Sequence, residues 1–367
     1  VIHEVGHVLG LRHNFVASSL YGIEEINTEA MRGKPQTASA MDYNPININF
    51  GDGPVQGDWS MMEPGPYDVW AIRAGYCDDK QVDSVLAEYT KPEYRYQTDE
   101  DTFGPDPLAR RYDFGKNPLD WADSRMRLVK DLRSKLLDRA VKDGEEWSKL
   151  RTHYFTLLGQ HTLAVSTAAG WIGGTHVNRT VKDEKNTLPP IVDVDPKMQR
   201  RALKFVIDNA FRDDAYGLNE DLLYKMTVTK WWDMGGMSTL TQDQALDVHD
   251  RINNIQTAVM TMVLNPTTLR RAYDNEFRVS RDQDALTVAE IMDTISAGVW
   301  EELDKSPSKS YTNRESMISS LRRNLQRQHI ERLINLANAS TAFGAARKPV
   351  STLAVLQLRE LGGKIGT

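Results

Sequence analysis

Apolar residues recur at intervals of three and four through most of the chain beyond residue 120, the period of helices that bury one face. The pattern predicts helices over 120–142, 145–169, 196–212, 242–264, 267–277, 287–303, 313–341 and 349–361. In 120–142, Met126, Val129, Leu132 (or Arg133), Leu136 and Leu137 form one inward stripe. The helical run is broken at 170–195, where Gly170, Gly173, Gly174, Pro189 and Pro190 predict a non-helical insert with a short strand near 175–180. The first third reads differently. Residues 1–13 predict a helix with an apolar stripe of Val1, Ile2, Val5, Val8 and Leu9 and a stop at Gly10. From Asn14 to about Ser60 there is no period, and breakers such as Gly33, Pro35, Pro45 and Pro54 are frequent. Pro66 opens a second helix that Gly75 closes, with proline inside the start and glycine past the end. Residues 91–119, rich in Pro, Asp, Gly and Tyr, are expected to be a surface linker. The organisation this implies is 1–90, a linker at 91–119, and a helical domain over 120–367; the fold class is mainly α. No internal repeat or low-complexity tract appears.

Composition narrows the function classes. The chain has 367 residues, 40% hydrophobic and 26% charged, which is ordinary for a globular protein, and a net charge of −6 argues against a nucleic-acid partner. No apolar run reaches the ~18–20 residues that cross a bilayer. Cys77 is the single cysteine, so no internal disulfide forms, and it is expected to be a small buried hydrophobe. The chain begins at Val1, without Met, and its strongest motif starts at the third residue. A fragment lacking its natural N-terminal portion is the expectation, with Val1, Ile2, Val5 and Val8 left exposed for want of a packing partner.

That motif is His3-Glu4-Val5-Gly6-His7-Val8-Leu9-Gly10-Leu11-Arg12-His13, an H-E-x-x-H-x-x-G-x-x-H pattern. On a helix, His3 and His7 project from one face and share one metal. Glu4 lies about 100° further round, beside the metal, where a base holding the attacking water belongs. Gly10 is free to take a left-handed conformation that returns His13 as third ligand. Three neutral imidazoles leave one position on Zn²⁺ for water, whose pKa falls from 15.7 to about 7. A chance match in a chain this long is on the order of 10⁻⁵. Ser39-Ala40-Met41-Asp42-Tyr43 follows, with Met41 placed 28 residues after His13, and runs into Asn44-Pro45.

With these motifs the chain resembles the metzincin zinc metallopeptidases. The resemblance implies that residues 1–76 are the C-terminal subdomain of the catalytic domain: zinc helix, Met-turn with Met41 beneath the imidazoles, and closing helix at Gly65-Pro66-Tyr67-Asp68. It implies one Zn²⁺ per chain held by His3, His7 and His13, and hydrolysis of peptide bonds by a zinc-bound water activated by Glu4. Tyr43 matches the tyrosine that astacins and serralysins place near the metal to stabilise the tetrahedral intermediate. Primed-side specificity would lie around Asn44 to Trp59. Asn14 departs from the familiar families, which have Glu (astacins), Asp (reprolysins), Pro (serralysins) or often Ser (matrixins) after the third histidine. Asp106-Pro107 to Asp113-Phe114-Gly115, Gly173-Gly174 to Pro189-Pro190, and the helices after Ala285 are similar to a group of large bacterial zinc metalloproteases with a long helical extension. That likeness implies export to the cell envelope or outside, with protein or peptide substrates.

The remaining histidines carry less. His153 and His161 fall on one predicted helix, eight apart, without a further ligand at metal spacing; His176, His249 and His329 are isolated, as surface or core histidines are. Asp99-Glu100-Asp101 lacks the alternation of a calcium loop and reads as a solvated charge run. Asn178-Arg179-Thr180 and Asn338-Ala339-Ser340 fit a glycosylation pattern too short to decide anything. Two readings compete with a peptidase: a binding protein that keeps zinc as a structural staple, against which Glu4 argues, and a helical scaffold with a vestigial metal region.

Overall fold

The structure, a computed structural model, describes residues 1–182, 188–231, 237–306, 310–338 and 344–365. Helices predominate among the described residues, whose sheet is one small antiparallel pair, so the mainly α expectation holds. The chain divides into two compact units, Val1–Arg127 with Gly173–Asp195, and Leu128–Ile172 with Pro196–Thr367.

The second unit is built from the helices that the period predicts. Ser148–Ala169 buries Leu150, Tyr154, Leu157, Leu158, Ala164, Val165 and Ala168. Val248–Val263 buries Ile252, Ile255, Val259, Met260 and Val263, and Val288–Val299 buries Ile291, Met292, Ile295 and Val299. Their starts are chemically marked. The Asn265 side chain accepts from Thr268 N ahead of Pro266, and Thr287 accepts from Glu290 N, satisfying donors that the first turn leaves free. The helix expected over 313–341 starts later, and the one expected over 349–361 is longer at both ends. The last long helices are Ser320–Asn338 and Arg347–Ile365, so 313–319 is not helical, and the predicted end at 339–341 lies outside the described residues, as do Ala339 and Ser340 of the glycosylation pattern. The helix expected over 120–142 is two, Pro118–Ser134 and Leu136–Arg139. Between the two candidates for its inward stripe, Arg133 is the buried one and Leu132 is 41% exposed. The Arg133 guanidinium donates to Ala215 O and lies over the Tyr154 ring, partners that let a cation turn inward.

The first unit is mostly irregular backbone, and side chains and crossing main-chain hydrogen bonds hold it. Asn14 N donates to Met41 O, Phe15 N to Gln97 O, Ala38 N to Ala17 O, Tyr67 N to Ala38 O, Arg110 N to Phe15 O and Tyr112 N to Tyr43 O. Residues 13–18 are thus threaded between 38–43 on one side and 95–112 on the other. The expected linker at 91–119 is therefore core-forming. Leu108, Ala109, Asp113 and Phe114 are buried, and Arg110 N between them donates to Phe15 O, beside the third histidine. Asp106 explains why the 173–195 stretch joins this unit. Its buried carboxylate accepts from Leu108 N, Gln97 Nε2, Val177 N and His176 Nδ1. Thr175–Val177 then pairs antiparallel with Ile191–Asp193. A helix at Asp79–Leu86, which the sequence did not signal, follows Pro66–Tyr76, and Cys77 between them is partly exposed where a buried thiol was expected.

Candidate metal centre

The first helix spans Ile2–Val8. It ends in a Schellman arrangement: Leu11 N donates to Gly6 O and Gly10 N to His7 O, with Gly10 at φ 91°. That left-handed turn reverses the chain and brings His13 back over the face carrying His3 and His7. One ring nitrogen from each histidine lies within 4.8 Å of the other two. The ring centroids are 4.8 Å (His3–His7), 5.3 Å (His3–His13) and 4.9 Å (His7–His13) apart.

Hydrogen bonds identify which nitrogen faces the centre. His3 Nδ1 donates to Ala40 O at 2.8 Å and His7 Nδ1 to Leu11 O at 2.9 Å. A carbonyl oxygen only accepts, so both rings carry their proton on Nδ1 and their lone pair on Nε2. His13 Nδ1 is 2.9 Å from Asp99 Oδ2, the same polarity, and His13 Nε2 is buried without a hydrogen-bond partner. A tetrahedral zinc with bonds of about 2.05 Å needs nitrogens roughly 3.3 Å apart, so movements on the order of 1 Å would close the set. The residues fit the ion.

Met41, 1% exposed, packs against the helix from below. A Cβ built on Gly6 would stand 2.3 Å from Met41 Sδ, so glycine between the two helix histidines is what admits the thioether. Asp68, on the Pro66–Tyr76 helix, holds this turn: its carboxylate accepts from Ala40 N, Gly65 N and the Ser39 hydroxyl. The Tyr43 ring is half-buried, with its centroid 5.4 Å from His3 and 4.7 Å from His13. Its outer face meets Tyr112, centroids 5.8 Å apart and nearly parallel. Tyr112 adopts φ 65°, a conformation costing a non-glycine residue about 1–3 kcal/mol, held here by the bond from its N–H to Tyr43 O. Glu4 is exposed on the same helix as His3 and His7, while Val1, Val5, Val8 and Leu9 also stand at the surface and Ile2 is half-buried.

Sequence reasoning missed Asp99. The Asp99-Glu100-Asp101 run is not simply solvated: Asp99 meets His13 and Arg111, Glu100 pairs with Arg12, and Asp101 accepts from Thr98 N and pairs with Arg179. No periodicity marks a contact 86 residues away. The other histidines form no second centre among the described residues. His153 is exposed while His161 is buried against Tyr216, with burial pushing its pKa down to about 3. His329 accepts from Trp300 Nε1, and burial lowers it to about 4.

Behind the Met41 turn lie two fully buried carboxyls. Burial pushes Asp113 up to about 7, and burial with the nearby Asp113 charge drives Asp42 in the same direction. Between the unfolded value near 3.9 and about 7, the folded protein holds a proton that the unfolded chain has released. Stability from Asp113 is therefore fully present below about pH 4 and declines as pH rises to about 7. Asp113→Asn is expected to gain stability relative to wild type across this window, by a few kcal/mol. Urea unfolding of both proteins at pH 4.5 and 7.5 checks this; a stability difference that does not change with pH would refute it.

A family model described as Met-zincin matches residues 1–307. No curated protein and no solved structure matches the chain.

Proposed function

This chain belongs to the Met-zincin family, and from that premise we propose that it is a zinc-dependent endopeptidase whose single Zn²⁺ is held by His3, His7 and His13. The observation that carries the reading is the common polarity of the three imidazoles, each donating Nδ1–H to an oxygen and leaving Nε2 for one shared ion. Bound there, zinc supplies a Lewis acid that polarises the scissile carbonyl and acidifies water. Glu4, exposed beside the histidines, takes the proton from the attacking water and returns it to the leaving amine nitrogen. The Tyr43 hydroxyl donates to the carbonyl oxygen as charge develops on it. Met41 is the Met-turn residue, setting the floor on which the rings rest. The segment from Asn44 to Trp59 forms the primed-side wall, closed on itself by Asn47 N to Trp59 O. No described helix is long and apolar enough to cross a membrane; export to the cell envelope or outside is part of the same proposal.

Metal analysis tests the ligand set. Wild-type protein is expected to hold one zinc per chain, and His3→Ala, His7→Ala and His13→Ala each to lose it. Full retention by all three variants would overturn the assignment.

A further inference from the structure

The third histidine is held from outside the motif. We propose that Asp99 is a positioning residue for the metal centre, fixing the tautomer and ring orientation of His13, and that Asn14 docks the segment that delivers it. This rests on the zinc reading above.

The geometry is specific. His13 Nδ1 donates to Asp99 Oδ2 at 2.9 Å, while Asp99 Oδ1 accepts from Arg111 Nη2 at 2.9 Å. One carboxylate oxygen orients the imidazole and the other is anchored, so the carboxylate does not rotate away from the ring. Arg111 is itself placed over the Phe15 ring at 4.9 Å, and Phe15 packs on His13 with centroids 5.0 Å apart. The cation, the apolar ring and the carboxylate thus leave His13 one orientation, with Nε2 turned to the shared centre.

Asn14 supplies the register. Its Nδ2 donates to Arg95 O at 2.9 Å and its Oδ1 accepts from Gln97 N at 3.2 Å, with the residue fully buried. The amide carries its donor and its acceptor on separate atoms, one for each of these two backbone groups. An ionised carboxylate lacks the donor, a proline side chain lacks both, and a serine hydroxyl carries both functions on a single, shorter-reaching atom. Two residues past Gln97 the chain presents Asp99 to the very ring that precedes Asn14. The departure at Asn14 and the unexpected acid are therefore one device: residue 14 clasps 95–97, and 95–97 carries the acid that aims residue 13. His3 and His7 need no such help, because backbone carbonyls of their own subdomain take their Nδ1 protons.

An outer carboxylate on a metal-binding histidine is worth 10- to 100-fold in metal affinity. Zinc affinity of the full chain, measured by chelator competition, is expected to fall by that factor in Asp99→Ala. It should fall less in Asp99→Asn, whose amide oxygen still accepts from Nδ1. Glu100→Gln, which breaks only the exposed pair with Arg12, is expected to leave affinity unchanged. The visible spectrum of the Co²⁺-loaded protein should change in Asp99→Ala, an effect that loss of a merely structural contact would not produce. If Asp99→Ala lowers the melting temperature of the metal-free protein but binds zinc within twofold of wild type with an unchanged Co²⁺ spectrum, the positioning role is overturned while the ligand set stands. If the wild type itself takes up no zinc, the proposed function falls and this inference with it.

Discussion

Glu4→Gln is expected to keep its zinc and to lose peptidase activity by about 10²–10⁴-fold, the usual contribution of a positioned general base. The side chain is exposed on the histidine helix, one residue from His3, so the near-isosteric amide disturbs no packing. What the amide lacks is the capacity to accept the water's proton. Equal metal content and equal melting temperature in the two proteins would assign the loss to chemistry rather than folding. Tyr43→Phe should retain more, with kcat down on the order of 10²-fold for one lost donor to the developing oxyanion. Near-normal turnover by Glu4→Gln would show that another group is the base and would reopen the reading of the metal as a structural staple.

The parts of this site that the sequence discloses are those encoded locally. Spacing by four puts His3 and His7 on one face, and Gly10 gives the turn that returns His13, because both depend on residues within one stretch of a dozen. The long helices of the second unit are legible for the same reason: Ile252, Ile255, Val259 and Val263 repeat at helical intervals whatever they pack against. What stays hidden is held by contacts between distant segments. Asn14 with 95–97, His13 with Asp99, and Asp106 with His176 each join residues about 70 to 90 apart through single polar side chains. Such bonds have no period, and the segment that makes them, rich in Pro, Asp and Gly, has the composition of a linker. Burial of Asp106 and Asp113 is what distinguishes it, and burial of an acid is not written in its neighbours. His161 shows the reverse limit: helical spacing allowed it to share a face with His153, yet one turned to the core and the other to solvent.

Asp68 marks where the first unit is most vulnerable. Asp68→Ala should destabilise this unit by on the order of 3–5 kcal/mol, because three donors that converge on one buried carboxylate would lose their acceptor together. Water cannot readily replace it, since Asp68 and the Ser39–Met41 turn are buried. Movement to relieve the loss is blocked too: Gly65 sits so close that a Cβ there would lie 2.0 Å from Ala38 O, and Tyr67 N donates to that same oxygen. The consequence reaches the histidine cluster. Asp68 holds the Ala40 N–H, and the Ala40 carbonyl is the acceptor for His3 Nδ1, so Ala40 links the carboxylate to the His3 ring. Asp68→Ala is therefore expected to lower both the melting temperature and the zinc affinity. Asp68→Asn, which keeps an oxygen for Ala40 N and Gly65 N, should fall between it and wild type in both measurements. A melting temperature and zinc affinity unchanged in Asp68→Ala would mean that the turn under the histidines stands without this carboxylate.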